Sequence, residues 1–154
     1  MTNNKHSRGF TMIEMLVVIV IMSVLASVIL PSLLNFRRSS LLNTETQEVV
    51  TLVNRARLLS VSSKNDERFG VHFEPSKLVL FQGATYTDGV ATNEEHYFDS
   101  AISSATSING GGSEILFAKV TGAASQTATT TLLFTGTTAS STVLIRKSGV
   151  VTIF

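Results

Sequence analysis

The chain opens polar and basic, turns apolar from Gly9, and becomes polar again at Arg37. Between Met15 and Leu34 stand 20 consecutive residues without a charge. That is the length a helix needs to cross a hydrocarbon core of roughly 30 Å. Ser23, Ser27 and Ser32 interrupt the run mildly, because a serine hydroxyl can bond back to its own helix backbone. Pro31 is expected to kink the helix or loosen one turn, which membrane helices tolerate better than soluble ones. Past Arg38 a new pattern begins. Leu42, Val49, Leu52, Val53, Ala56 and Leu59 recur at spacings of three, four and seven, a helical stripe. Thr44, Glu45, Gln47, Glu48, Asn54, Arg55 and Arg57 fall mostly on the other faces, with the two arginines read as solvated. Ser62 to Asp66 reads as a stop. The pattern predicts one long helix from Phe10 to about Ser63, its first half in lipid and its second, through Leu52 to Leu59, docked on a head.

The remaining residues read as strands and turns. Phe69 to Glu74 alternates, with Phe69, Val71 and Phe73 on one side and His72 facing solvent opposite. Glu74-Pro75-Ser76-Lys77 has turn chemistry, and Leu78 to Phe81 returns as a hairpin partner. Gly83, Asp88-Gly89 and Asn109-Gly110-Gly111-Gly112 then signal loops. Further strands are expected at Ile115 to Val120, Thr130 to Thr135, Thr142 to Lys147 and Val150 to Phe154, the last two joined by a turn at Lys147-Ser148-Gly149. Twelve of the 22 residues from Thr121 to Thr142 are Ser or Thr. Leu132, Leu133 and Phe134 need burial, which favours strands with exposed threonines over a disordered tract. The expected fold is α+β, a long N-terminal helix packed on a C-terminal antiparallel β head. Its expected segments are 1–9, 10–36, 37–64 and 65–154.

Composition narrows the choices. The 154 residues suit one domain with an appendage. Setting aside Lys5 and Arg8, the 12 basic residues fall to 10 against 11 acidic, so no general polyanion-binding surface is expected. Cysteine is absent, which excludes disulfides and thiolate metal sites.

Glu14 is the anomaly: a carboxylate at the head of an apolar run. A cleaved secretory signal would use Val24-Leu25-Ala26 as its cleavage site, but the run continues through Val28-Ile29-Leu30 and Leu33-Leu34. A plain N-terminal anchor explains the length and leaves Glu14 unexplained. An acid near the bilayer interior costs on the order of 2.5–3.5 kcal/mol and usually has a partner. No lysine or arginine lies between Arg8 and Arg37, and the helical neighbours at 10, 11, 17 and 18 are Phe, Thr, Val and Val. Cutting the chain after Gly9 would create a cation, the α-amino group of Phe10, four residues from Glu14, and the partner amine is either its own or that of the next subunit.

Arg8-Gly9-Phe10-Thr11-Met12-Ile13-Glu14 followed by a long apolar run resembles the processing site of type IV prepilins and type II secretion pseudopilins. The resemblance implies cleavage after Gly9 by a prepilin peptidase, methylation of Phe10, and docking of subunits into a filament guided by Glu14. Pro31 also matches a proline frequent in that family. A helix followed by a strand-rich head, with "FGVHFEPSKLVLFQG" near its start and "KSGVVTIF" at its end, is similar to the minor pseudopilin H of type II secretion and the fimbrial T and U minor pilins. It implies a non-enzymatic subunit of a pilus or pseudopilus, anchored once in the inner membrane with its head in the periplasm or outside. The implied partners are other subunits, the peptidase, an inner-membrane assembly platform and lipid. Positive charges flank the span equally, so orientation rests on the resemblance alone.

Other chemistry is sparse. Glu94-Glu95-His96 with Asp99 has the ligand types for a divalent cation but no enforcing spacing, and reads as a solvated acidic loop. Gly110-Gly111-Gly112 lacks the lysine and helix of a phosphate loop. Arg146 and Lys147 are candidate DNA contacts, the alternative reading being a DNA-binding minor pilin of an uptake pilus. Two charges give little affinity, so help from Lys119 or Arg68 would be needed. No catalytic constellation, cofactor or metal is expected.

Overall fold

The computed structural model describes residues 9–154. The expected leader therefore falls, with Lys5, His6 and Arg8, outside the described residues, apart from Gly9. The chain divides into two compact units, Met1–Arg37 and Arg38–Phe154. One helix, α1 (Met12–Val61), begins in the first and ends in the second.

In the first unit every described side chain is exposed, including the whole apolar run. The hydroxyl of Ser23 donates to the Ile19 carbonyl at 2.8 Å and that of Ser27 to the Val24 carbonyl at 2.7 Å. Both polar groups are thus satisfied within the helix, as a hydrocarbon surrounding would require. Helix α1 passes through Pro31 without a break.

In the second unit eight strands follow: β1 (Phe69–Phe73), β2 (Lys77–Gln82), β3 (Glu94–Tyr97), β4 (Ile102–Ile108), β5 (Glu114–Phe117), β6 (Ala128–Phe134), β7 (Ser140–Ile145) and β8 (Val151–Ile153). They form two antiparallel sheets, ordered β3-β2-β1-β5 and β4-β6-β7-β8. The predicted stripe is the buried one: Leu42, Val49, Leu52, Val53 and Ala56 pack with Phe69, Val71 and Phe73 and with Leu132, Val143 and Ile145 of the second sheet. Burying such side chains contributes roughly 1.5–3 kcal/mol each.

The stripe also carries polar members that periodicity assigned elsewhere. Glu45 is buried; its Oε1 accepts the Asp99 N–H at 3.2 Å and its Oε2 lies 2.9 Å from His96 Nε2. Ser60 is fully buried; its hydroxyl oxygen accepts the Phe69 N–H at 2.9 Å and donates to the Phe69 carbonyl at 3.2 Å. Arg55 pairs with Glu94 at 2.5 Å, and half-buried Arg57 donates to the Gly122 carbonyl at 3.2 Å, so neither is simply solvated. Strand β3 stands where a solvated loop was expected, and β4 is a strand for which no expectation was made. The strand expected at Ile115 to Val120 ends at Phe117, because the chain turns at Lys119 to Gly122 and Val120 adopts a left-handed φ of 65°.

The sheet β3-β2-β1-β5 is covered on its second face too. Phe81 and Val79 are buried there although they belong to no part of the helix-facing core. Phe81 lies opposite Gly70, where an added Cβ would come within 2.6 Å of the ring and 2.7 Å of the Ile115 carbonyl. Glycine therefore makes room for the ring. Tyr86, from the β2–β3 loop, closes this layer by stacking on His72 at 4.0 Å and meeting Phe81 edge-on at 5.8 Å. His72 is half-buried rather than open to solvent.

Candidate processing and assembly site

Gly9 and Phe10 precede the helix as exposed, non-helical residues, Phe10 being 77% exposed. Among the described residues nothing lies within 4 Å of where a Gly9 side chain would begin, so none of them shields the Gly9–Phe10 peptide bond. Helix α1 starts two residues later for a local reason. The Thr11 hydroxyl accepts the Glu14 N–H at 3.3 Å, and the Glu14 carboxylate accepts the Thr11 N–H at 3.5 Å. This is a reciprocal capping box: each side chain satisfies a backbone N–H that the first turn leaves without a carbonyl. The carboxylate also sits at the positive end of the helix dipole, where an anion is favoured.

No neighbouring side chain on the helix offers Glu14 a charge, but the Thr11 backbone partners it, and the Thr-x-x-Glu spacing is the signal for that contact. A cap is worth about 1 kcal/mol. A lipid-embedded carboxylate costs up to about 3.5 kcal/mol, so the cap offsets only part of it. The apolar surface next to it, from Ile13 through Ile21, is wholly exposed. Residues Met12–Val61 include an 18-residue window of mean hydropathy 2.8, long and apolar enough to cross a membrane.

The other candidates sit in the second unit. Arg146 and Lys147 open the turn to β8, closed by a hydrogen bond from the Gly149 N–H to the Arg146 carbonyl at 2.8 Å. Lys147 shares an open cleft of about 280 Å³ with Arg68. Lys119 turns away to Asp66, meeting its carboxylate at 2.9 Å and its carbonyl, and its ammonium holds that carboxyl below the usual range through hydrogen bond and charge. Of the two expected helpers, Arg68 is beside Lys147 and Lys119 is spoken for.

The acidic run Glu94-Glu95-His96 is a strand with separate partners, not a solvated loop. Glu94 faces Arg55 and His96 faces Glu45, while Glu95 bonds Lys77 at 3.2 Å and the Tyr97 hydroxyl. Asp99 turns its carboxylate to the Ala101 N–H at 2.8 Å. Among the described residues no three His, Asp or Glu side chains are gathered to hold a metal ion. Lys77 is instead a hub that sequence reasoning missed, with Glu74 and Asp88 both 3.7 Å away and the Tyr97 ring at 5.8 Å. Loss of water lowers its proton affinity, but the Glu95 hydrogen bond and the charges of Glu74 and Glu95 outweigh this and raise it.

Residues 4–30 match the prokaryotic N-terminal methylation motif. No curated protein sequence matches the chain significantly. The fold is similar to that of the type IV minor pilin FimU of Pseudomonas aeruginosa, with a TM-score of 0.60, 15% identity, and coverage of 77% of this chain and 92% of that one. It is also similar to the minor pseudopilin EpsH of the type 2 secretion system of Vibrio cholerae. One crystal structure of EpsH gives a TM-score of 0.57 at 11% identity over 75% of this chain and 94% of that one. The expected α+β architecture is the one observed, a long N-terminal helix with antiparallel sheets packed on it. The chain thus carries the methylation motif at the start of that helix, and the fold of the remainder is similar to that of these minor pilins.

Proposed function

We propose that the chain is a minor pilin or pseudopilin, a non-enzymatic structural subunit of a type IV pilus or of a type II secretion pseudopilus. It works by polymerisation, and its chemistry is done to it rather than by it. A prepilin peptidase cuts after Gly9, removing Lys5 and Arg8 with the leader, and the new N-terminal Phe10 is methylated. The span Met15 to Leu34 anchors the subunit in the inner membrane with the head outside the cytoplasm. An assembly platform then lifts it, exchanging lipid around the span for the helices of neighbouring subunits. Glu14 meets the Phe10 amine of a neighbour and sets the axial register, because an unpaired buried charge is strongly disfavoured.

The observation that carries this reading is the arrangement at the helix start. A sterically open Gly9–Phe10 bond stands four residues ahead of a carboxylate that its capping box only partly satisfies. The experiment is the intact mass and N-terminal residue of the protein extracted from membranes of cells that hold a prepilin peptidase. A chain beginning at Phe10 and one methyl heavier is expected. One beginning at Met1, or well downstream of Phe10, overturns the reading. The alternative, a DNA-gripping pilin, gains one observation: Lys147 and Arg68 line the same cleft. Salt-dependent DNA binding lost on neutralising Arg146 and Lys147 would be its mark.

A further inference from the structure

Val120 is 73% exposed yet held at φ 65°, a region that β-branched residues almost never enter. Its conformation is imposed from around it: the Val120 N–H donates to the Ser60 carbonyl at 3.3 Å, the Gly122 N–H donates to the Ala118 carbonyl at 2.9 Å, and Lys119 is tied to Asp66. Leu58 and Val61, also exposed, lie one turn apart on the adjoining end of α1, and Val61 borders Gly122. A rigid aliphatic knob is thus displayed to solvent at a conformational cost, with no burial in return. Arg68 and Lys147, which have no ion-pair partner among the described residues, stand on the neighbouring segments.

The outer face of the sheet β3-β2-β1-β5 carries the complement. Tyr97 is exposed there, Val90 is exposed in the β2–β3 loop whose Tyr86 and Asp88 reach this face, and around Lys77 stand three carboxylates, Glu74, Asp88 and Glu95. We propose that the knob of one head docks on the acidic, apolar face around Tyr97 and Val90 of a second copy of this chain. The two patches differ and share no residue, so the contact is head-to-tail and repeats without closing into a dimer, as a filament needs. Opposite charge on the two rims sets orientation, and apolar contact at the centre excludes water. A protein surface is a better match than nucleic acid. The centre of the basic patch is aliphatic and offers no aromatic ring for a base to stack on.

The chain has no cysteine, so the test is clean. Full-length Val120→Cys and Val90→Cys chains are incorporated together into lipid vesicles and treated with a short bis-maleimide. The mixed pair is expected to cross-link, each chain alone to cross-link at least tenfold less, and the mixed product to fall several-fold at high salt. Lys147→Glu is expected to weaken the mixed product, and Asp88→Lys on the opposing chain to restore it. No mixed product, or a Val120–Val120 product in its place, overturns the proposal. So does a mixed product that appears only when duplex DNA is added. The cross-link is expected to survive Glu14→Ala, so failure of the Glu14 pairing would leave this contact standing, and its own failure would leave that pairing untouched.

Discussion

Removing the Glu14 carboxylate separates its two duties. Holding the charge in lipid costs at most about 3.5 kcal/mol, the figure for a residue deeper in the bilayer than the end of the apolar run. The capping box with Thr11 recovers about 1 kcal/mol. Between about 1.5 and 2.5 kcal/mol is left for the Phe10 amine of a neighbour to supply, equivalent to a roughly tenfold to sixtyfold change in an association constant. The assay is energy transfer between differently labelled copies, cut to begin at Phe10, in lipid vesicles. Glu14→Ala is expected to weaken association by that factor while leaving membrane insertion intact. Glu14→Gln keeps a side chain able to cap, so it should restore helix onset but not association. The uncut chain should associate as weakly as the alanine variant, because its Phe10 nitrogen is an amide. If cut and uncut chains associate equally, or if alanine changes nothing, the ion-pair argument fails.

Other outcomes follow from single contacts. Gly9→Val meets no neighbour, so it should leave helix content unchanged by circular dichroism while abolishing cleavage, read as retention of the full mass. Gly70→Ala drives a methyl against the Phe81 ring and the Ile115 carbonyl, and should lower stability by about 3 kcal/mol in a denaturant melt. Val120→Asn should raise stability by about 1 kcal/mol in a denaturant melt, since asparagine accepts left-handed backbone. The Asp66 carboxyl is held low by Lys119, so the stability of that pair is present above the unfolded value, about 3.9, and is lost as pH falls through the lower folded value. Lys119→Met should therefore destabilise the protein at pH 7, and the difference from the parent should shrink as pH falls below the ordinary carboxylate value, read by thermal melts across that range.

Local regularity carried most of the fold, and cross-chain pairing hid the rest. The long helix, its buried stripe and the β1–β2 hairpin are legible because apolar residues recur at fixed spacing. Strand β3 is Glu-Glu-His-Tyr, whose charges look solvated until Arg55, Lys77 and Glu45 are seen opposite them. Strand β4 alternates inward Ile102, Ser104 and Ile108 with small polar residues, and serine at an inward position carries no hydrophobic signal. The Ser104 hydroxyl donates to the Glu74 carbonyl, 30 residues earlier. At the N-terminus the Thr-x-x-Glu spacing was visible in the sequence, and the apolar run around it drew attention to lipid rather than to capping.

Ser60 keys the helix to the head. One side chain saturates both main-chain groups of Phe69, and its carbonyl receives the turn at Val120. Adding or deleting a residue between Val49 and Ser60 would swing this key about 100° around the cylinder, and β1 would lose its anchor whichever way the chain re-threaded. Length changes are thus barred from the helix and confined to segments such as Asn109 to Gly112, where glycines turn the chain freely. Insertions into the head should therefore be tolerated there.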